Sequence, residues 1–376
     1  MINSREIVFI STMDYFDLPT RKQRIALKLS ETNRVIYFEP PRTILSIFIP
    51  KKKRKNLMIN QNLYIFPLPM ILPFGLRFKF INIINSKRLF KYVRKLLEDH
   101  SFVDFILWVY LIDYPNLYKR LNSSFYIYDC VDDHSSYGGL RSKKFVNKCE
   151  EEVSKTANVI FATTDNLKNK LLIFNKETYK VTNGVDYKYF NNYPLNRTDL
   201  DFPLVQRPVI GYIGAIQNWF DFDSINYASN IFKDISFVII GPCADEIKIK
   251  YKKDNIFFLG SKSYNDAPFY INNFDVCLIP FIVNELTINV SPLKFYEYCA
   301  LGKPIISSPI KQLIDFSSIC YIYNNKEELI ERINAALSEA DQNLINQRKK
   351  IANENSWDNK FNFMFKIINE KLNISK

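Results

Sequence analysis

Short apolar runs rich in β-branched residues alternate along the chain with stretches whose apolar residues recur at helical spacing, a pattern that predicts parallel sheets built of βα units. In the N-terminal half the runs predict strands at 6–10, 34–38, 102–110, 125–130, 159–163 and 180–182. A polar, proline-punctuated stretch over 191–208 has no periodicity and reads as a linker. A second series follows it, at 209–213, 236–241, 255–259, 275–280, 304–307 and 319–323. The tail over 356–372 reads as one amphipathic helix. The expected architecture is α/β, with two doubly wound parallel-sheet domains over 1–195 and 205–355 and a terminal helix over 356–376. In such sheets ligands bind beyond the C-terminal ends of the strands.

A chain of 376 residues that is 47% hydrophobic and 15% aromatic can fill two separate cores. No run approaches the about 18 apolar residues needed to cross a bilayer. The opening residues lack the apolar core and cleavage site of a secretory signal and read as a first strand. Six cysteines (130, 149, 243, 277, 299 and 320) are scattered without a C-x-x-C pair, as expected of reduced core thiols in a cytoplasmic protein.

The net charge of +12 is patterned. Lys51–Lys55 is a solid basic run, and over Ser86–Leu97 the residues Lys87, Arg88, Lys91, Arg94 and Lys95 alternate with Leu89, Tyr92, Val93, Leu96 and Leu97. Such a stretch either lies on an anionic membrane or is an ordinary helix with a solvated basic face. No RNP, zinc or helix-turn-helix signature accompanies the charge, so nucleic acid is not an expected partner.

The richest chemistry lies in 289–309, which reads N-V-S-P-L-K-F-Y-E-Y-C-A-L-G-K-P-I-I-S-S-P. Ser291 is a candidate N-cap with Pro292 at the first helical position, so the backbone N–H groups from Leu293 onward would seat an anion. Lys294 in the first turn and Glu297 three residues later share a face, offering a diphosphate clamp beside an acceptor for sugar hydroxyls. In the other half, Asp129, Asp132, Asp133 and His134 cluster where a strand ends, able to share protons, position a hydroxyl, cap the next helix or bind a metal. With only two histidines in the chain, no metal site is assigned. Asp199-Leu200-Asp201 and Asp221-Phe222-Asp223 spell D-x-D in a linker and at a helix start, and neither reads as a metal motif.

The segment at 289–309 resembles the donor-binding signature of the family 4 (group 1) glycosyltransferases of GT-B fold, in which a Glu, seven residues and a second Glu precede a Gly-x-Pro strand. Further fragments resemble the family's bacterial cell-surface polysaccharide branch in the same order: Leu18 to Ser30 with Arg34 to Pro41, Phe125 to Asp133, Val181 to Asp186, Gly211 to Asp221 and Phe274 to Phe281. The resemblance implies two Rossmann-like domains facing across a cleft, with the acceptor on the first and a nucleotide-sugar donor on the second. It implies that Glu297 holds the ribose, that Gly214 belongs to the donor loop and that Arg21 reaches a phosphate or an acidic acceptor. Asp132 or Asp133 would orient the acceptor or act as base, with His134 beside them, and Trp219 would stack on a sugar or base or else plug the core. Asn289 stands where the first Glu is usual and Ala215 where an Arg is common. The implied activity is sugar transfer to a lipid-linked or polysaccharide acceptor, with retention of configuration, without metal or bound cofactor, in the cytoplasm or peripherally at the inner membrane face. A non-catalytic scaffold and a nucleotide-sugar 2-epimerase of the same fold are the alternatives.

Overall fold

Strand β1 (Glu6–Ile10) is the pivot of the first sheet, and its last four residues are buried, as in a strand covered on both faces. It is followed by β2 (Arg34–Glu39), β3 (Leu57–Asn60), β4 (Leu63–Pro67), β5 (Phe105–Val109), β6 (Phe125–Cys130), β7 (Val159–Ala162) and β8 (Thr178–Lys180). The spatial order is β3-β4-β2-β1-β5-β6-β7-β8, parallel throughout except for the antiparallel β3–β4 pair. The second sheet contains β9 (Val209–Ile213), β10 (Ser236–Ile240), β11 (Ile256–Phe258), β12 (Val276–Ile279), β13 (Ile305–Ser307) and β14 (Tyr321–Ile322). Its order is β11-β10-β9-β12-β13-β14, all parallel. In each sheet the winding reverses at the first strand, β1 or β9, which makes the C-terminal ends of these strands the switch points where ligands bind. This computed structural model describes residues 3–17, 19–48, 55–137, 141–195, 197 and 199–374.

The β3–β4 pair is absent from the sequence expectation because its strands are only four and five residues long and follow the basic run. Asn62 N–H donates to Asn60 Oδ1 at 2.9 Å and closes the turn between them. The chain passes from one compact unit to the next at Thr182–Asn183, earlier than the linker expected over 191–208. The reason is packing: Val185 and Phe190 are fully buried in the same core as Val209, Ile210 and Tyr298. The first unit comprises Met1–Thr182 with Phe361–Lys376, and the second Asn183–Lys360. The final helix, Trp357–Ile374, is tied to the first unit by a 2.6 Å ion pair between Lys371 and Glu177 and by Met364, whose sulfur lies 3.8 Å from Arg21 Nη2.

The basic stretch Ser86–Leu97 lies in the helix Lys79–Asp99, and Leu89, Val93 and Leu97 are buried while Lys87, Arg88, Lys91, Arg94 and Lys95 are exposed. Its apolar stripe therefore serves the core and is not presented to a lipid surface. Of the run Lys51–Lys55, residues 51–54 lie outside the described residues. Among the described residues no helix is long and apolar enough to cross a membrane. All six cysteines are free thiols; five are buried and Cys243 is half-buried.

Candidate active site

In the second unit the site is built on the end of β9. Gly214 N–H donates to Ile240 C=O at 2.8 Å, so the chain leaves β9 still bonded to β10. Directly opposite is Gly241 at φ +145°, where a Cβ would lie 1.8 Å from the Gly214 carbonyl oxygen; only a glycine lets these backbones meet. A Cβ on Gly214 would lie 2.6 Å from the Tyr212 hydroxyl and 3.2 Å from Lys294 Cε, so the glycine loop and the lysine share one small space. Lys294 Nζ donates to Glu297 Oε2 at 2.7 Å and lies 6.0 Å from the centroid of the Tyr264 ring. The Glu297 side chain is 2% exposed and that of Lys294 19%, so the ammonium is the outer member of the pair.

Both residues sit on the helix Leu293–Ala300, whose N-cap position is occupied by Pro292. This corrects the expectation of a Ser291 cap and of Pro292 inside the first turn. Ser291 is occupied elsewhere: its Oγ accepts from Asn183 N–H at 3.2 Å and its carbonyl accepts from Asn183 Nδ2 at 2.8 Å. Among the described residues no side chain caps the helix, so the positive end of its dipole is offered at Leu293 and Lys294. Tyr298 on the same helix accepts from Ile213 N–H at 3.2 Å and anchors the helix to β9. Burial pushes the Tyr298 hydroxyl well above its ordinary pKa, and burial followed by the Glu297 charge does the same to Tyr212. Both phenols are neutral at physiological pH.

Asn289 ends a 3-10 turn, Thr287–Asn289, and its amide reaches the Glu285 carbonyl at 3.4 Å. Trp219 is partly buried against the second core, which favours the core-filling reading over an open stacking platform. Asp221 caps the helix Phe222–Ile231 by accepting from Ser224 N–H at 3.0 Å, and Asp223 accepts from the Tyr251 hydroxyl at 2.8 Å, so this D-x-D is structural.

In the first unit the carboxylate cluster after β6 divides into different roles. Asp129 is fully buried and its Oδ2 accepts from Arg21 Nε at 2.9 Å; Arg21 also donates to the carbonyls of Val181 at 2.7 Å and Thr182 at 3.2 Å. Arg21 is 1% exposed, so the expected phosphate or acceptor contact is corrected to an internal ion pair. Asp133 is corrected as well: its Oδ1 accepts from Ser135 N–H at 3.1 Å, Ser135 Oγ at 2.8 Å and Lys170 Nζ at 3.0 Å. Burial raises its carboxyl, yet Lys170 and Ser135 together hold it below its ordinary value. Asp132 and His134 instead line a cavity of about 650 Å³, with the Tyr137 hydroxyl donating to Asp132 Oδ2 at 3.0 Å.

His134 is buried and, among the described residues, its Nε2 has no hydrogen-bond partner. Burial lowers its pKa from the ordinary 6.5, against the opposing charges of Glu150, Asp113 and Asp132. A histidine held neutral in the fold contributes stability that is present above its unfolded pKa and is lost as pH falls through 6.5 toward the lower folded value. The urea midpoint of the wild type is therefore expected to fall more steeply between about pH 7 and about pH 5 than that of His134→Phe, and parallel profiles would refute this.

The same cavity is lined by Lys22, Asp113 and Arg141, none of which the sequence reading singled out. The available signal was the helix Arg21–Ser30, where Lys22 shares a stripe with Ala26 and Leu29, both buried. Among the described residues no group of three or more His, Cys, Asp or Glu side chains could hold a metal ion.

Two Rossmann-like parallel-sheet units, the second with a glycine loop and an uncapped helix end at its switch strand, define the GT-B class. Residues 207–339 match the family model described as glycosyl transferases group 1, which marks the chain as a glycosyltransferase. Its sequence is 24% identical over 294 residues to the putative teichuronic acid biosynthesis glycosyltransferase TuaH of Bacillus subtilis (strain 168), covering 72% of each chain. Its fold matches sucrose-phosphate synthase from Thermosynechococcus elongatus with a TM-score of 0.75 at 13% identity, over 97% of this chain and 98% of that one. Anabaena HepE, in complex with UDP and glucose, matches with a TM-score of 0.65 at 12% identity, over 94% and 96% of the two chains.

Proposed function

We propose that this glycosyltransferase moves a sugar from a nucleoside diphosphate donor to a lipid-linked or polysaccharide acceptor in cell-surface glycan synthesis. The observation that carries the reading is the meeting of Gly214, Lys294 and the uncapped helix start at Leu293 beyond β9. As the bond from the sugar to the diphosphate breaks, negative charge grows on the leaving phosphate. An ammonium and backbone N–H groups already aimed at that position stabilise the charge without reorganising, and they supply positive charge without a divalent ion. Glu297 holds Lys294 and takes the ribose hydroxyls, Asn289 lies near the donor sugar, and retention of configuration follows the family resemblance. The TuaH likeness supports the cell-surface setting, and the UDP complex of HepE supports the donor class. The first unit, with Asp132 and His134, takes the acceptor. The exposed basic face of the helix Lys79–Asp99 gives a peripheral electrostatic contact with anionic lipid on the cytoplasmic side.

Calorimetry with UDP, GDP and dTDP, alongside assay of sugar transfer or donor hydrolysis, tests the reading. Binding of one diphosphate together with turnover is expected, and neither occurring would refute it. Tight binding without product would favour the non-catalytic alternative raised by Asn289 and Ala215. The role of Glu297 has its own test. For the diphosphate that binds, the ribose form should bind about tenfold tighter than its 2′-deoxy counterpart, the value of one charge-assisted hydrogen bond. Glu297→Gln should narrow that gap, and equal affinities in the wild type would remove the ribose role.

A further inference from the structure

We infer that Asn183 is a positioning residue for the donor: its side-chain amide holds the Ser291 carbonyl and so aims the first N–H groups of the helix Leu293–Ala300 at the diphosphate. This rests on the donor reading of that helix end and names what keeps the end in place. The segment Val181 to Asp186 has no part in the site as described above, yet Asn183 within it makes a two-point contact with the residue that leads into the donor helix. Its backbone N–H donates to Ser291 Oγ at 3.2 Å and its Nδ2 to the Ser291 carbonyl at 2.8 Å. Ser291 is 3% exposed, so water does not readily substitute for either bond.

Constraints in series carry the grip to the helix. The Ser291–Pro292 peptide is planar, so a bond that fixes its carbonyl fixes the whole unit. The Pro292 ring locks φ, here −67°, and only the rotation ψ, here 116°, then separates that peptide from the Leu293 N–H. The Asn183 amide thus does from outside the helix what a capping side chain does from within it: it sets the direction of the first turn. Asn183 is itself held on both sides. The Thr182 carbonyl before it accepts from Arg21 Nη1 at 3.2 Å. After it, a Cβ on Gly184 would lie 2.6 Å from the Asn355 carbonyl oxygen, which also accepts from Val185 N–H at 3.2 Å. Without the amide, the buried Ser291 carbonyl loses this partner and the peptide turns to find another, and the locked proline passes that turn on to Leu293 and Lys294. A hydrogen bond from an N–H to phosphate weakens steeply with misalignment, so the loss falls on the diphosphate and spares the nucleoside.

The test titrates the full chain by calorimetry with UDP and UMP, or with GDP and GMP or dTDP and dTMP where the wild type takes that base, and reads the ratio of the two dissociation constants. Asn183→Ala is expected to cut the advantage of the diphosphate over the monophosphate about tenfold, the value of one well-aligned hydrogen bond to a charged group, while leaving monophosphate affinity within about twofold. Asn183→Leu, close to asparagine in shape and without a donor, should give the same change and keeps the test usable if the alanine variant folds poorly. A merely structural role would weaken both nucleotides alike or lower only the melting temperature. Either of those results, or an unchanged ratio in a folded variant, overturns the inference. A wild type that binds the diphosphate no tighter than the monophosphate instead removes the donor reading itself, so the two failures are told apart by which protein shows them.

Discussion

Arg21→Met is expected to lower unfolding stability by about 3–5 kcal/mol, the usual consequence of stranding one member of a buried ion pair. The arginine is sealed by Asp129 and two backbone carbonyls. Loss of the guanidinium would leave a full charge in the core together with two unsatisfied carbonyls. Urea unfolding of Arg21→Met, Asp129→Asn and the double variant separates these contributions. The double variant should recover a large part of the loss, because the isolated charge is gone. Were Arg21 a ligand contact, the variant would melt like the wild type and lose only turnover.

Lys294→Met should reduce kcat/KM for the donor roughly 10²–10³-fold, the range seen when one preorganised donor to a developing anion is removed. The substitution also leaves Glu297 buried without its partner, so some stability is lost at the same time. Glu297→Gln in the same chain removes that charge. Lys294→Met/Glu297→Gln is therefore expected to regain the melting temperature of the wild type while staying inactive. Recovery of activity along with stability would show that Lys294 acts only as a structural partner.

These cases show which parts of the molecule were legible before its structure. Fully buried parallel strands leave unbroken apolar runs, so β1, β6, β9 and β12 stood out, whereas the short hairpin β3–β4 left little trace. Lys294 and Glu297 lie three residues apart on one helix, and local spacing alone brings them together. Arg21 and Asp129 are 108 residues apart, and only the packing of a helix against β6 turns a candidate ligand into an internal ion pair. The same applies to Ser291, whose hydroxyl is taken by Asn183 on a distant segment. Asp132 and Asp133 are adjacent, as are Arg21 and Lys22, and in each pair only one residue faces the cavity. Which one does so is set by the phase of a loop or a helix, and composition carries no information about it.

Five of the six thiols are inaccessible, and the remaining one, Cys243, follows Pro242, whose carbonyl accepts from Ile216 N–H at 3.2 Å beside the glycine loop. Nature has thereby left a lone attachment point for a fluorophore within a few residues of where the donor's phosphates are expected. Maleimide labelling of the unaltered protein would yield an optical reporter of donor occupancy, with no engineered cysteine and no background from the core.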